Sequence, residues 1–266
     1  MKDLYTSAVG NMTKTIARLE RVVPAPQVVV LRGRKNYRYK EQSIHQAIIM
    51  KLARLISALQ AARLLLNAGL LQDFGACQRV IDEINEDVAY LYWLTVGKES
   101  PNWHERFFAE FWQEEFDGPT AMTSNQKRDR VPREKIRNFL ASMGDVGLDQ
   151  NTRIKVAYGI SKAYSGFIHG AASHIIEMYY GDPPKFHALN QRDSPYLEGH
   201  IEDLQNVFFR SICTFGLAAA AFGDGDLKDT ILDFRTHFEK QCGMTFDPKE
   251  LDAIALRQRQ ARPSNN

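Results

Sequence analysis

Cysteine is scarce in this 266-residue chain: Cys77, Cys213 and Cys242 stand far apart, and no two form a CxxC pair. That spacing removes zinc ribbons and thioredoxin-like redox motifs. Each thiol sits in an apolar-periodic stretch, where a buried, reduced state is usual. Long apolar runs are also missing. The most apolar segments, Leu64 to Leu71 and Phe215 to Phe222, are too short to span a bilayer. The opening MKDLYTSAVGNMTK has no apolar stretch of the signal-peptide kind, so the expected location is cytoplasmic, with no membrane partner. Charge of one sign is not in excess either. The formal net charge is +2, so any pull toward nucleic acid or an acidic surface must come from a local patch. Metal-ligand spacing is absent: His169, His174 and Glu177 make a poor motif, and no ExxH pair accompanies the acidic residues near position 83. Neither a metal nor a cofactor is expected.

What is present is a helical periodicity. Hydrophobic residues make up 44% and charged residues 25%, enough apolar material for a sizeable core. Steps of three and four dominate over strand-like alternation, which predicts an all-α, irregular bundle of about eight helices. The first helix should cover Leu4 to Val22 and end before Pro24 and Pro26. Val28 to Leu31 is one strand-like run, too isolated to imply a sheet. A long helix from Glu41 to Leu70 carries Ile44, Ile48, Leu52, Leu55, Leu59, Ala62 and Leu66 as one stripe and stops at Gly69. Asp73 is the expected cap of the next, which closes near Gly97. Ser100-Pro101 opens an aromatic helix from Trp103 to Phe116. Residues 118–132 read as a mobile polar connection. Further helices are expected over Pro132 to Met143, Asn151 to Tyr180, Pro195 to Phe222 and Asp226 to Gln241. Residues 1–245 form a single domain in this reading, and 246–266 a short helix with a disordered basic tail.

Three stretches carry chemistry. The first is Arg32-Gly-Arg34-Lys35-Asn-Tyr37-Arg38-Tyr39-Lys40. Cations match phosphates and flat rings stack on unpaired bases, so RNA or another single-stranded nucleic acid is the expected partner; the bland counterpart is a solvated loop. The second is the helix from Asn151, read as largely buried. Its one polar side carries Lys162, Ser165, His169 and Ser173, flanked by Gly166 and Gly170. Ser165 and His169 are neighbours at i,i+4. A Ser–His dyad, a ligand site and a structural hydrogen-bond network all fit that pattern. The third is the helix bearing Arg79, Asp82, Glu83, Glu86 and Asp87. There a solvated face with an Arg79–Glu83 pair competes with a pair reaching into a polar cleft. The rings of Phe107, Phe108, Phe111, Trp112 and Phe116 would suit a homodimer contact along the Trp103–Phe116 helix, giving a non-catalytic interaction or scaffold protein.

Arg79-Val-Ile-Asp-Glu83, continuing to Tyr90-Leu91, together with Tyr164-Ser165-Gly-Phe-Ile-His169, resembles a group of bacterial all-helical proteins with no agreed activity. That group looks akin to the HEPN-like superfamily of toxins, phage-defence nucleases and inactive nucleic-acid-binding relatives. The likeness covers about residues 45 to 220 and implies a HEPN-like core. It also implies that Arg79, Glu83, Tyr164 and His169, with Ser165 beside them, converge in one polar site, and that the role lies in RNA binding or processing during defence or stress. Arg38 and His45 fit the loose arginine-to-histidine spacing of the HEPN ribonucleases, which would make the chain a metal-independent ribonuclease. In that chemistry the imidazole takes the 2′-hydroxyl proton and the guanidinium steadies the phosphorus charge. This chain has Tyr39 where those enzymes usually carry a small polar residue, and its pair lies early in the chain.

Overall fold

A computed structural model describes residues 2–31, 33–98, 103–118, 120–143 and 150–243. Among them are nine helices: α1 (Lys2–Leu19), α2 (Ile44–Ala68), α3 (Leu71–Thr95), α4 (Trp103–Trp112), α5 (Arg133–Met143), α6 (Gln150–Ile168), α7 (Ala172–Ile175), α8 (Leu197–Ala221) and α9 (Gly225–Cys242). Two small antiparallel hairpins complete the set, β1 (Gln27–Leu31) with β2 (Arg34–Arg38), and β3 (Tyr179–Tyr180) with β4 (Lys185–Phe186). The architecture is an all-α bundle. No helix among the described residues is long and apolar enough to cross a membrane. The expected Ser100-Pro101 start signal and the helix and tail after 245 lie outside the described residues.

The stripe on α2 is the spine of the core. Ile48, Leu52, Leu55, Leu59, Ala62 and Leu66 are all buried, packed with Ile81, Val88 and Leu91 of α3 and Phe208 and Phe215 of α8. The helix begins at Ile44, three residues later than predicted, because Ser43 caps it. Ser43 Oγ accepts from the Gln46 backbone N–H at 3.2 Å, and Gln46 Oε1 accepts from Ser43 N–H at 3.0 Å. At the other end Gly69 takes the left-handed conformation, φ 72°. Leu70 N–H returns to Leu65 O at 2.9 Å, and α3 starts at once. Asp73 therefore lies inside the first turn of α3 instead of capping it. The tight turn also receives the chain before α8: Gln191 N–H donates to Gly69 O at 2.8 Å, and a Cβ on Gly69 would meet Asn190 Oδ1 at 2.4 Å. Gly69→Ala is expected to cost about 1–2 kcal/mol, from the left-handed backbone and this contact together. Its thermal midpoint beside the wild type checks this, and an unchanged midpoint would contradict the account.

Around the spine, α1 and α9 close on α8 through Tyr5, Phe208 and Phe238, with Tyr5 and Phe208 centroids 4.7 Å apart. Asp224 accepts from Leu227 N–H at 3.1 Å to start α9 and pairs with Arg18 of α1 at 2.6 Å. α3 touches α2, α5, α6 and α8, which makes it the hub of the bundle.

Four expectations change here. Val28 to Leu31 is not isolated: it pairs with Arg34 to Tyr37, because Gly33, φ 72°, turns the chain back. The helix predicted to Tyr180 ends at Ile168, where Gly170 (φ 59°) breaks the helix and Ala171 N–H bonds Gly166 O at 2.9 Å. Nor is α6 largely buried. Phe167 packs where Gly75 of α3 leaves no side chain, while Val156, Tyr158 and Ile168 face outward. Lastly, the connection at 118–132 is tethered: Ser124 and Asn125 donate to Asp117 Oδ1, and Arg130 pairs with Glu110 at 3.1 Å.

Candidate functional site

α3 is amphipathic in an unusual way. The side that the sequence left open between a solvated face and a polar cleft is covered by other helices, and its carboxylates meet cations supplied by four elements. Asp87, 1% exposed, accepts from Lys51 Nζ of α2 at 2.6 Å and from Arg133 of α5. Glu86 binds Arg137 of α5, which is itself buried. Glu83 accepts from Arg79 Nε at 2.8 Å, and Asp82 pairs with Arg210 of α8. Burial pushes the Glu86 carboxyl above its ordinary range even with Arg137 beside it. Outside Lys51, Asp87 and Arg133, a recess of about 450 Å³ opens among α4, α5 and the polar connection.

This ladder changes the reading of the aromatic helix. Phe107 is buried against Tyr90, centroids 5.3 Å apart, and Lys51 Nζ lies 4.9 Å from the Phe111 ring centre. Phe108, Trp112 and Phe116 are no more than half-exposed. Of the rings that motivated a homodimer along Trp103–Phe116, Phe107, Phe108, Phe111 and Trp112 turn onto the protein's own core, with α4 a lid over the Lys51–Asp87 pair, and Phe116 lines the recess beside Arg38.

Of the polar set predicted to converge, Arg79, Glu83 and Tyr164 lie where α3 meets α6. Arg79 donates to the Ser161 carbonyl at 3.0 Å and to its hydroxyl. Tyr164 is buried, with Asp203, Arg210 and Asp82 acting on its hydroxyl, and desolvation raises its pKa. Ser165 is half-buried, and His169 is exposed at the end of α6. His169 therefore stands outside this cluster, because the helix breaks immediately after it. His174 folds back instead: its ring lies over Gly166, where a Cβ would meet it at 2.1 Å, and Nε2 approaches Ala163 O at 3.1 Å.

Arg38 and His45 engage different partners. Arg38 Nη2 donates to Glu114 at 2.7 Å, whereas His45 Nε2 contacts Ala221 O at 3.0 Å and its ring stands edge-on to Phe222. Strand pairing then sorts the basic segment into two faces. Lys35 and Tyr37 share one with Val30 and Val28, while Arg34, Asn36 and Arg38 share the other and line a recess with Glu114 and Glu115. Tyr39 packs edge-on to Trp112, Lys40 is exposed, and Arg32 lies outside the described residues.

Sequence reasoning missed Lys51, Arg133, Arg137 and Arg210 as members of the ladder. A lysine within the apolar run of α2 was the available signal. It also missed His200, buried on α8 and edge-on to Phe74 and Phe167. Burial holds its imidazole below the ordinary value of 6.5. The unfolded chain therefore takes the proton first, and the stability held by the neutral ring is complete above about pH 6.5 and lost as pH falls through the folded value. Between about pH 7 and pH 5 the wild type should lose more thermal stability than His200→Phe, which keeps a flat ring without the titration. Parallel curves would show that His200 does not carry this dependence.

No family model, no curated protein and no solved structure matches this chain.

Proposed function

We propose that this is an RNA-binding helical protein of the HEPN-like kind, holding single-stranded RNA on the β1–β2 hairpin without cleaving it at Arg38 and His45. The observation that carries the reading is the hairpin's outward face, where Tyr37 is 69% exposed beside Lys35, Val28 and Val30. An exposed ring flanked by cations stacks on an unpaired base while the cations neutralise adjacent phosphates. Arg34 adds a further cation at the turn, and Lys40 another beyond the strand. No cleavage is expected in this reading, with the support that Arg38 pairs with Glu114 and His45 contacts the end of α8.

The experiment is retention of labelled single-stranded RNA by the pure protein across a salt series, with strand length monitored. The logarithm of the affinity should fall linearly with log salt, by about 0.7 log unit per tenfold salt for each neutralised phosphate, and the RNA should stay intact. Salt-indifferent binding, or none, would remove this function, and cleavage would restore the ribonuclease reading.

A second reading, a non-catalytic interaction protein, is favoured by apolar side chains left outward between α6 and α8. Ile168, Ile175, Ile176, Phe186 and Leu189 are all exposed there. Light scattering that finds an oligomer, together with no RNA retention, would bring it forward.

A further inference from the structure

The face of the β1–β2 hairpin turned away from Tyr37 borders a hollow of about 510 Å³. Leu31, Arg34, Asn36 and Arg38 line it from the hairpin, and Glu114, Glu115 and Phe116 line it from the segment after α4. Leu31 and Phe116 are half-buried and supply apolar walls. The other polar groups of the hairpin face are engaged within the protein. Arg38 Nη2 donates to Glu114 at 2.7 Å and Nη1 to the Tyr37 carbonyl at 2.9 Å. Asn36 Nδ2 donates to the Arg34 carbonyl at 2.9 Å.

Arg34 and Glu115 behave differently from the Arg38–Glu114 pair beside them. Both are exposed and line the same hollow, yet among the described residues no ion pair joins their side chains to each other or to a third group. A ligand held between them must present donors to the carboxylate and acceptors to the guanidinium, because the first only accepts and the second only donates. Guanine is the RNA base that does both. Its N1–H and N2 amino group lie side by side for a carboxylate, and its O6 and N7 lie side by side for an arginine. Adenine, cytosine and uracil each set an acceptor next to the donor on their pairing edge, which a carboxylate repels.

We propose that this hollow selects one guanine of the bound RNA, with Glu115 accepting from N1–H and the N2 amino group, Arg34 donating to O6 and N7, and the ring lying between Leu31 and Phe116. The assignment rests on RNA binding at the hairpin and adds a base preference to it. The sheet has two strands only, so an RNA strand can cross its edge with one base on Tyr37 and the guanine on the opposite face. The two faces then divide the work. Stacking on the exposed Tyr37 ring accepts any base, since every base has a flat face. The hollow contacts base edges, which is where sequence-specific recognition of unpaired RNA resides. Arg38, tied to Glu114, forms part of the wall without touching the base.

The test is fluorescence polarisation of the full chain with labelled oligouridine and with the same strand carrying one central guanosine or inosine. The guanosine strand should bind at least about tenfold more tightly than oligouridine, the gain from one bidentate base contact. Inosine lacks the N2 amino group and should lose most of that gain. Glu115→Gln should bring the guanosine and oligouridine affinities close together; the side chain is exposed, so the unfolding midpoint should hold. Equal binding of both strands by the wild type would overturn the base preference and leave RNA binding at the hairpin standing. Retention of neither strand would remove both. A preference that survives Glu115→Gln, or that inosine reproduces in full, would overturn the assignment to this hollow. Free guanosine monophosphate should compete only weakly; competition equal to that of the guanosine strand would make this a nucleotide site and overturn the RNA assignment.

Discussion

Asp87→Ala should destabilise the protein by about 3–5 kcal/mol, the cost of stranding buried cations by removing their counter-charge. Asp87 holds Lys51 Nζ and the Arg133 guanidinium at once, and α4 covers the pair. With the carboxylate gone, Lys51 is left beneath Phe107 and Phe111, and Arg133 is left with Glu83 and Glu86 at 3.7 and 3.9 Å. Urea unfolding at neutral pH measures the loss. Combining Lys51→Met with Asp87→Leu should recover part of it, since replacing an ion pair by apolar groups of similar size is far less costly than breaking it. A loss for Asp87→Ala below about 1 kcal/mol would place the ladder in the class of exposed pairs, contrary to its burial.

The triple variant Arg34→Glu, Lys35→Glu, Tyr37→Ala should bind single-stranded RNA at least about 100-fold more weakly than the wild type. Loss of the Tyr37 stacking platform alone removes about 1–3 kcal/mol. Losing two cations lowers the log–log salt slope by about 1.4, at roughly 0.7 per phosphate. All three side chains are exposed on the hairpin, so the helical core and its unfolding midpoint should not change. Glu114→Gln acts in the opposite sense: it frees Arg38 for phosphate, and affinity should rise. Equal affinities for the wild type and the triple variant would detach RNA binding from this hairpin.

The helices that bury one clean stripe were legible in the sequence. α2 carries its stripe without interruption, and Gly69 marks its end as expected. The capping pair Ser43 and Gln46 was equally visible there and fixes a start that the apolar pattern alone placed too early. α3 was harder, because its charged residues obey the periodicity of a solvated face. Only the arrival of Arg133, Arg137 and Arg210 from distant segments turns that face inward, and periodicity within one helix carries no record of such partners. The segment after Asn151 misled for the opposite reason. Its apolar residues suggested burial all round, but α6 is covered along one side, at Ser161, Tyr164 and the Phe167 that Gly75 admits, while Val156, Tyr158 and Ile168 face outward. Arg79 and Glu83, mid-way along α3, and Tyr164, in the closing turns of α6, meet because each helix continues past them without a break. The placement of His169 depended on one glycine in a left-handed conformation.

The carboxylate ladder also orders the assembly of the chain. The α2–α3 turn is local and should form early, at little entropic cost. At that stage Asp82, Glu83, Glu86 and Asp87 lie close together on one helix and repel one another, with only Arg79 and Lys51 at hand. Their remaining counter-charges arrive with α5 and α8, which come later in the sequence. Docking of those helices therefore discharges a repulsion that the half-formed bundle cannot relieve, and the early hairpin gains little by persisting alone. Ions in solution screen that repulsion while the ladder is still open to water, and lose their influence once it is enclosed. Added salt should therefore favour the partly assembled bundle over the finished one.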